Sequence, residues 1–413
     1  MTTATREPLH VAQIGFFNDP QERAPEEILE AWSTLVDVAE AAGPAGVQVS
    51  VVQACTRRAK LERNGVRYYF LPFEEQSGGG SLAPLREQLR TLTPHPPQLL
   101  HVHGLGFPRQ VSSLAAILPD LPIVLQDHAS RPPRIWRRGL WRRGLAVAAG
   151  VAFCAADQAQ PFAAAGLLST RTRVYEIPES TSRFAPGDRA VARRGTGVAG
   201  DPAVLWVGHL DANKDPLTVL EGVSSAARVL PALRLYCCFG IAPLLRAVEE
   251  RIGGDPHLRG RVQLLGRVPH EQIEQLMRAA DIFVLGSHRE GSGYALIEAL
   301  ACGLPPVVTD IPSFRALTGA GAVGRLWPCG DAQKLGAALQ SVAARARDDE
   351  RRAVRTHFDR ELSFDALGGK LTAMYRDVIR RARNACGEPH ALIDASRPSR
   401  TATGPVPTHR GLG

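Results

Sequence analysis

The sequence predicts an α/β protein built from two doubly wound, mainly parallel sheets, and three observations carry that expectation. Short apolar stretches of strand length alternate with helical stretches from residue 9 to about 180, the order that a parallel sheet covered by helices requires. The order pauses between Pro178 and Pro202, where Ser, Thr, Arg, Gly and Pro dominate, and resumes from Ala203 to about Arg347. A chain of 413 residues is long enough for two separate cores with extra segments.

Strands of the first run are read at His10–Phe17, Val47–Gln53, Val66–Leu71, Leu99–His103, Ile123–Gln126, Val151–Ala155 and Val174–Ile177. Those of the second are read at Val204–Val207, Leu233–Phe239, Val262–Leu265, Ile282–Leu285, Val307–Val308 and Gly324–Trp327. The expected organisation is a first domain over 1–180, a linker over 181–202 and a second domain over 203–360. In 361–385, Phe364, Leu367, Leu371, Met374, Tyr375 and Val378 recur at helical spacing and predict an amphipathic helix. Residues 386–413 lack apolar periodicity, are rich in Pro, Thr, Gly and Arg, and are expected to be disordered.

A hydrophobic content of 44% with 22% charged residues is that of an ordinary soluble globular protein. Met1 to Leu9 has no apolar core of a secretory signal, and the longest apolar run, Leu145 to Ala156, is too short to span a bilayer. Seven cysteines, mostly within apolar segments, fit reduced thiols in a cytoplasm, and none has zinc-ligand spacing. The net charge of +8 admits nucleic acid, an anionic membrane or an acidic substrate, and no nucleic-acid module signature favours the first.

The most informative stretch is Ile282 to Asp310. A buried strand is followed by the Gly-rich Ser287–Gly293, a helix over Tyr294–Cys302 stopped by Gly303 and Pro305, and a second strand at Pro306–Thr309. This order sets Glu290 and the free N–H groups of Gly291 to Tyr294 at a helix N-terminus, where anionic and hydroxyl-rich ligands bind. Glu298 falls on roughly the same side, and ionised carboxylates, which only accept hydrogen bonds, can chelate a vicinal diol. Carboxylates near a helix start also act as dipole partners, so the pair alone does not decide.

The full string resembles the signature of the retaining glycosyltransferases of family 4, which share the two-domain GT-B fold. The matching residues are Ser287, Glu290, Gly291, Glu298, Ala299, Leu300, Ala301, Cys302, Gly303, Pro305, Val307 and Val308. The resemblance implies two Rossmann-like domains facing across a cleft, a C-terminal crossover helix on the first domain, an NDP-sugar donor, retention at the anomeric carbon, and no cofactor or obligatory metal. The turn Trp206 to Leu217 resembles the family's phosphate-binding turn, with Gly208 and Lys214 in place but His209 where Arg is usual, which exchanges a fixed charged fork for a titratable ring. Gly266-Arg267-Val268 matches the place where relatives hold the nucleotide base, and Phe239-Gly240 is half of the usual Gly-x-Gly turn.

In the first domain, Leu99 to Gly104 resembles the family's His-x-His-Gly strand end, with His101 and His103 on one face. Two ligands are too few for a metal site. Gln126-Asp127-His128 resembles the terminal His of the next strand. The linker entry Glu176-Ile177-Pro178 also matches, although the usual Asn-Gly is replaced by Glu179-Ser180. The resemblance thus assigns Glu290, His128 and Lys214 to catalysis. To the donor it assigns Gly208, His209, Lys214, Arg267, Val268, Glu290, Gly291, Ser292, Gly293 and Glu298, and to the acceptor His103 and His128. Phe17 to Arg23 lacks the paired glycines of many relatives, so the acceptor is unread. An epimerase or phosphorylase of the same fold and a non-catalytic nucleotide-sugar binder are the rival readings.

Arg131 to Gly144 packs six Arg and two Trp into one stretch. A solvated basic loop is the plainer reading, and peripheral contact with an anionic membrane is the sharper one.

Overall fold

A computed structural model describes residues 9–72, 82–92, 95–169, 172–345 and 347–385. The expected disordered tail, 386–413, lies outside the described residues.

The first sheet contains β1 (Leu9–Gly15), β2 (Val47–Ala54), β3 (Ala59–Arg63), β4 (Val66–Leu71), β5 (Leu99–His103), β6 (Ile123–Gln126), β7 (Gly150–Phe153) and β8 (Arg173–Glu176), in the order β3-β4-β2-β1-β5-β6-β7-β8. Every pairing is parallel except β3 with β4. Strand β3 was not expected. It is half-exposed at the sheet edge, so it lacks the apolar run that marks the others, yet Asn64 and Gly65 at φ +48° and +77° form the two-residue hairpin that an Asn-Gly pair signals. Alternation sends Val11 to one face of this sheet and Ala12 and Ile14 to the other, giving two apolar cores.

The second sheet contains β9 (Ala203–Val207), β10 (Arg234–Cys238), β11 (Val262–Gly266), β12 (Ile282–Leu285), β13 (Pro306–Thr309) and β14 (Arg325–Trp327), all parallel, in the order β11-β10-β9-β12-β13-β14. Its core is anchored by Trp206, Phe283, Phe314 and Trp327. Each sheet reverses its strand order beside β1 or β9, and such switch points open crevices at the carboxyl ends of the strands.

Helix Phe364–Ala385 returns to the first domain. It buries Leu367, Leu371, Met374, Tyr375 and Val378 in that core against helix Ser33–Ala42. Gly368 permits the approach, because a Cβ there would stand 2.1 Å from the carbonyl oxygen of Ala41.

Two segments differ from their polar composition. Within the stretch read as linker, Arg189–Thr196 is a helix capped by Asp188 and ended by Gly197 at φ +71°, and Arg189 and Arg193 pair with the buried Asp281 of the second domain. Glu179, Ser180 and Thr181 are buried, with Ser180 Oγ donating to Asp37 Oδ2 at 2.6 Å. The basic stretch expected as a loop is a 3-10 turn, Ile135–Arg137, running into helix Arg138–Ala146. Trp141 and Leu145, four residues apart, enter the first domain's core, with Trp141 stacked 6.4 Å from Phe162. Burial of that pair sets the helix against its many charges, and leaves Ile135 and Trp136 74% and 71% exposed.

Candidate active site

The second domain builds its part of the cleft from βα turns. After β9, Asp211 Oδ1 accepts from Lys214 N–H at 2.9 Å, and Asp215, at φ +51°, caps the helix that follows. Lys214 Nζ meets the carboxylate of Glu290, brought in by the loop after β12. His209 Nδ1 accepts the Ile241 N–H at 3.2 Å, so its remaining proton sits on Nε2 and the ring serves as a single N–H donor. Gly208, His209, Gly240, Arg267, Val268 and His270 line one cavity of about 660 Å³.

Glu298 does not itself line this cavity but reaches it through His270, its Oε1 standing 2.6 Å from His270 Nε2. That hydrogen bond, aided by the carboxylate charge and opposed by burial, raises the His270 pKa. His270 was not among the expected site residues. It opens the helix after β11, where its position was readable but nothing marked it.

The first domain contributes a hydrogen-bonded chain. Glu179 Oε2 is 2.8 Å from His128 Nδ1, His128 Nε2 is 3.1 Å from His103 Nδ1, and His103 Nε2 is 3.3 Å from Gln13 Oε1. His101 is fully buried, stacks 4.6 Å from His103 and meets the Tyr375 hydroxyl at 2.8 Å, a structural position that ties the strand to the returning helix. Burial pushes the His101 pKa down to about 3 and that of His103 well below its usual value, so both rings are neutral.

Glu179 also reaches the second domain. Its N–H donates to Ser292 Oγ at 2.9 Å, and its carboxylate packs so closely on Gly291 that a Cβ there would stand 1.9 Å from Oε1. Gln158 Nε2 donates to the carbonyls of Glu290 and Gly291, both at 2.9 Å. The Ser292 hydroxyl, placed among the donor-binding groups by resemblance, is buried and accepts the Glu179 N–H from the linker. Gly293, at φ +87°, packs on Phe314 at the start of helix Tyr294–Ala301. Glu179 and Gln158 were missed as site residues, although Glu179 was visible as the departure from Asn in the linker.

The cleft continues into a cavity of about 550 Å³ lined by Phe17, Trp32, His103, Phe107, His128 and Tyr294, with the Phe17 and Trp32 rings 5.7 Å apart. His103 and His128 thus share a wall with Tyr294 of the second domain. Among the described residues, no group of three or more His, Cys, Asp or Glu has the arrangement to hold a metal ion.

Comparison with known proteins adds to this geometry. Residues 189–356 match the model of the family described as glycosyl transferases group 1. A D-inositol 3-phosphate glycosyltransferase of Geodermatophilus obscurus is 33% identical over 229 residues, covering 52% of this chain and 50% of the relative. A GDP-mannose:cellobiosyl-diphosphopolyprenol alpha-mannosyltransferase of Xanthomonas campestris is 28% identical, covering 61% of this chain and 66% of the relative. The chain thus matches half to two-thirds of the length of these relatives. The solved structure of a glycosyltransferase from Rickettsia africae superposes with a TM-score of 0.66 over 91% of this chain and 100% of its own, at 13% identity. That likeness shows the fold, the GT-B arrangement of two Rossmann-like domains.

Proposed function

We propose that the chain, whose residues 189–356 match the group 1 glycosyl transferase family, moves a sugar from an NDP-sugar to an acceptor hydroxyl, with retention, as a family 4 enzyme. The observation that carries this reading is the cavity lined by Gly208, His209, Arg267, Val268 and His270, with Glu298 bonded to His270 and Lys214 paired with Glu290. The base would rest on the backbone at Arg267 and Val268, and the ribose diol on the Glu298 carboxylate. The diphosphate would draw Lys214 away from Glu290 and take the His209 Nε2–H. Glu290, released, accepts from the sugar hydroxyls, and His128 faces the sugar from the other domain.

In the transfer, the bond from the anomeric carbon to the phosphate oxygen breaks and the acceptor oxygen bonds to that carbon on the same face. The acceptor proton passes to the departing phosphate. Rate comes from holding the reactants in place and from the Lys214 cation and the His209 N–H beside the leaving phosphate, and this reading assigns no step to a metal. The test is incubation with a panel of NDP-sugars and simple acceptors, followed by NMR of the product. A glycoside with the donor's anomeric configuration supports the reading. Epimerised donor or sugar phosphate as product refutes it.

Membrane contact belongs to the same proposal. Among the described residues no helix is long and apolar enough to cross a membrane, but exposed Ile135 and Trp136 stand among Arg134, Arg137, Arg138, Arg142 and Arg143. Such a surface suits peripheral binding at an anionic inner leaflet. Replacing Arg137, Arg138, Arg142 and Arg143 by Gln is expected to abolish salt-sensitive co-sedimentation with phosphatidylserine vesicles. A native protein that stays in the supernatant even at low salt contradicts this.

A further inference from the structure

A third cavity, of about 490 Å³, lies where the loop after β6 faces the loops after β12 and β13, so both domains wall it. Glu290 is at its edge, while none of the residues lining the nucleotide cavity lines it. Arg131 enters from the first domain and Arg289 from the second. Among the described residues neither guanidinium makes a hydrogen bond or an ion pair. The two are close enough to interact: burial first, and then the Arg131 charge, lowers the Arg289 pKa.

The carboxylates at the same wall form no ion pair with them, although the Asp127 and Glu290 charges partly offset the lowering of the Arg289 pKa. Glu290 is paired with Lys214, Asp127 Oδ1 accepts from Ser130 N–H at 2.9 Å, and Asp157 Oδ1 accepts from Gln160 Nε2 at 3.0 Å. Burial also raises the Asp127 pKa, opposed by its hydrogen bonds from Ser130. His288, the remaining basic residue of the wall, is 3.1 Å from Asp215. The cavity also holds the side chain of Ser313, 1% exposed, whose Oγ has no hydrogen-bond partner. A buried hydroxyl without a partner costs about 1–3 kcal/mol and so marks a place for a polar group of a ligand.

We propose that this cavity binds an oxyanion carried by a substrate, held between Arg131 and Arg289 with Ser313 Oγ donating to it. Two guanidiniums offer paired N–H donors that match phosphate or carboxylate oxygens. An anion between them turns like-charge repulsion into a bridge across the cleft and draws the domains together. The cavity of Phe17, Trp32 and Tyr294 has no Arg or Lys in its lining, so an anionic group beside the transferred sugar has its countercharge here. The inference rests on the glycosyl-transfer reading for the identity of the carrier: a phosphate on the acceptor, or the carboxylate of a transferred uronosyl group.

The test is calorimetric titration of the full chain with inorganic phosphate, and separately with glucuronate, with and without saturating nucleoside diphosphate. Native protein is expected to bind one of them with the nucleotide site filled, and Arg131→Gln and Arg289→Gln each to weaken that binding at least tenfold. Circular dichroism checks that both variants fold. Phosphate binding alone identifies an acceptor phosphate, and glucuronate binding alone a uronosyl donor. Failure of both probes to bind, or binding that neither variant changes, overturns the site. Failure of the nucleoside diphosphate to bind instead removes the donor reading, and the probes without nucleotide still decide the anion site.

Discussion

Gly291→Ala is expected to reduce sugar transfer by about a hundredfold while each domain stays folded, the scale of loss that follows a displacement of about 1 Å at reacting groups. The added methyl would meet Glu179 Oε1 at 1.9 Å and the Ala129 nitrogen at 3.1 Å. One obstacle is a buried carboxylate bonded to His128 and the other is backbone, so neither yields cheaply. The loop after β12 must then back away from the first domain, carrying Glu290 with it. Steady-state rates beside a melting curve separate this from unfolding: transfer near the native level would show that the close approach of Gly291 to Glu179 is not needed. Glu179→Ala removes the first obstacle but leaves His128 Nδ1 without its partner, so the double variant is expected to remain slow.

Asp37→Asn is expected to stabilise the protein at neutral pH by up to about 3 kcal/mol, from the shift and about 1.36 kcal/mol per pKa unit. Burial raises the Asp37 carboxyl from 3.8 to about 6, opposed by the hydrogen bond from Ser180 and by Arg183. A raised acid pKa means that the folded state binds the proton more tightly than the unfolded chain. The native protein should therefore lose stability as pH rises from about 4 to about 6 and stay at that lower level above it. Asn cannot ionise, yet its Oδ1 can still accept from Ser180 Oγ. Melting temperatures from pH 4 to pH 8 check the sign. A variant less stable than the native chain at pH 8, or one with the same pH profile, contradicts it.

Much of the fold was legible because parallel strands buried on both faces read as uninterrupted apolar runs, as in Ile282–Leu285 and Ile123–Gln126. Strand β3 was not, because an edge strand with one wet face carries little apolar signal, and only its Asn64-Gly65 turn announced it. Helix Arg138–Ala146 was hidden because two large buried side chains, Trp141 and Leu145, decide its conformation among seven other residues that are mostly charged or small. At the site, Gly208, His209, Arg267 and Val268, whose turns alone are weak signals and were read through the family resemblance, line one cavity. The links from Glu179 to His128 and Gly291 were not readable, since they join residues far apart in sequence, and a polar linker gives no sign that it is buried between domains. Partners are similarly silent: Lys214 with Glu290, and Glu298 with His270, meet only once the sheets are assembled.

The central claim is that the second domain binds a nucleotide-sugar between His209 and Glu298, and calorimetric titration of an NDP-sugar into the native protein and Glu298→Ala tests it most directly. Loss of charge-assisted hydrogen bonds to the ribose should cost about 1.5–3 kcal/mol, a rise in Kd of about tenfold to over a hundredfold, with the fold intact. Equal affinity of the two proteins for an NDP-sugar that the native protein binds would contradict the ribose assignment and with it the placement of the donor.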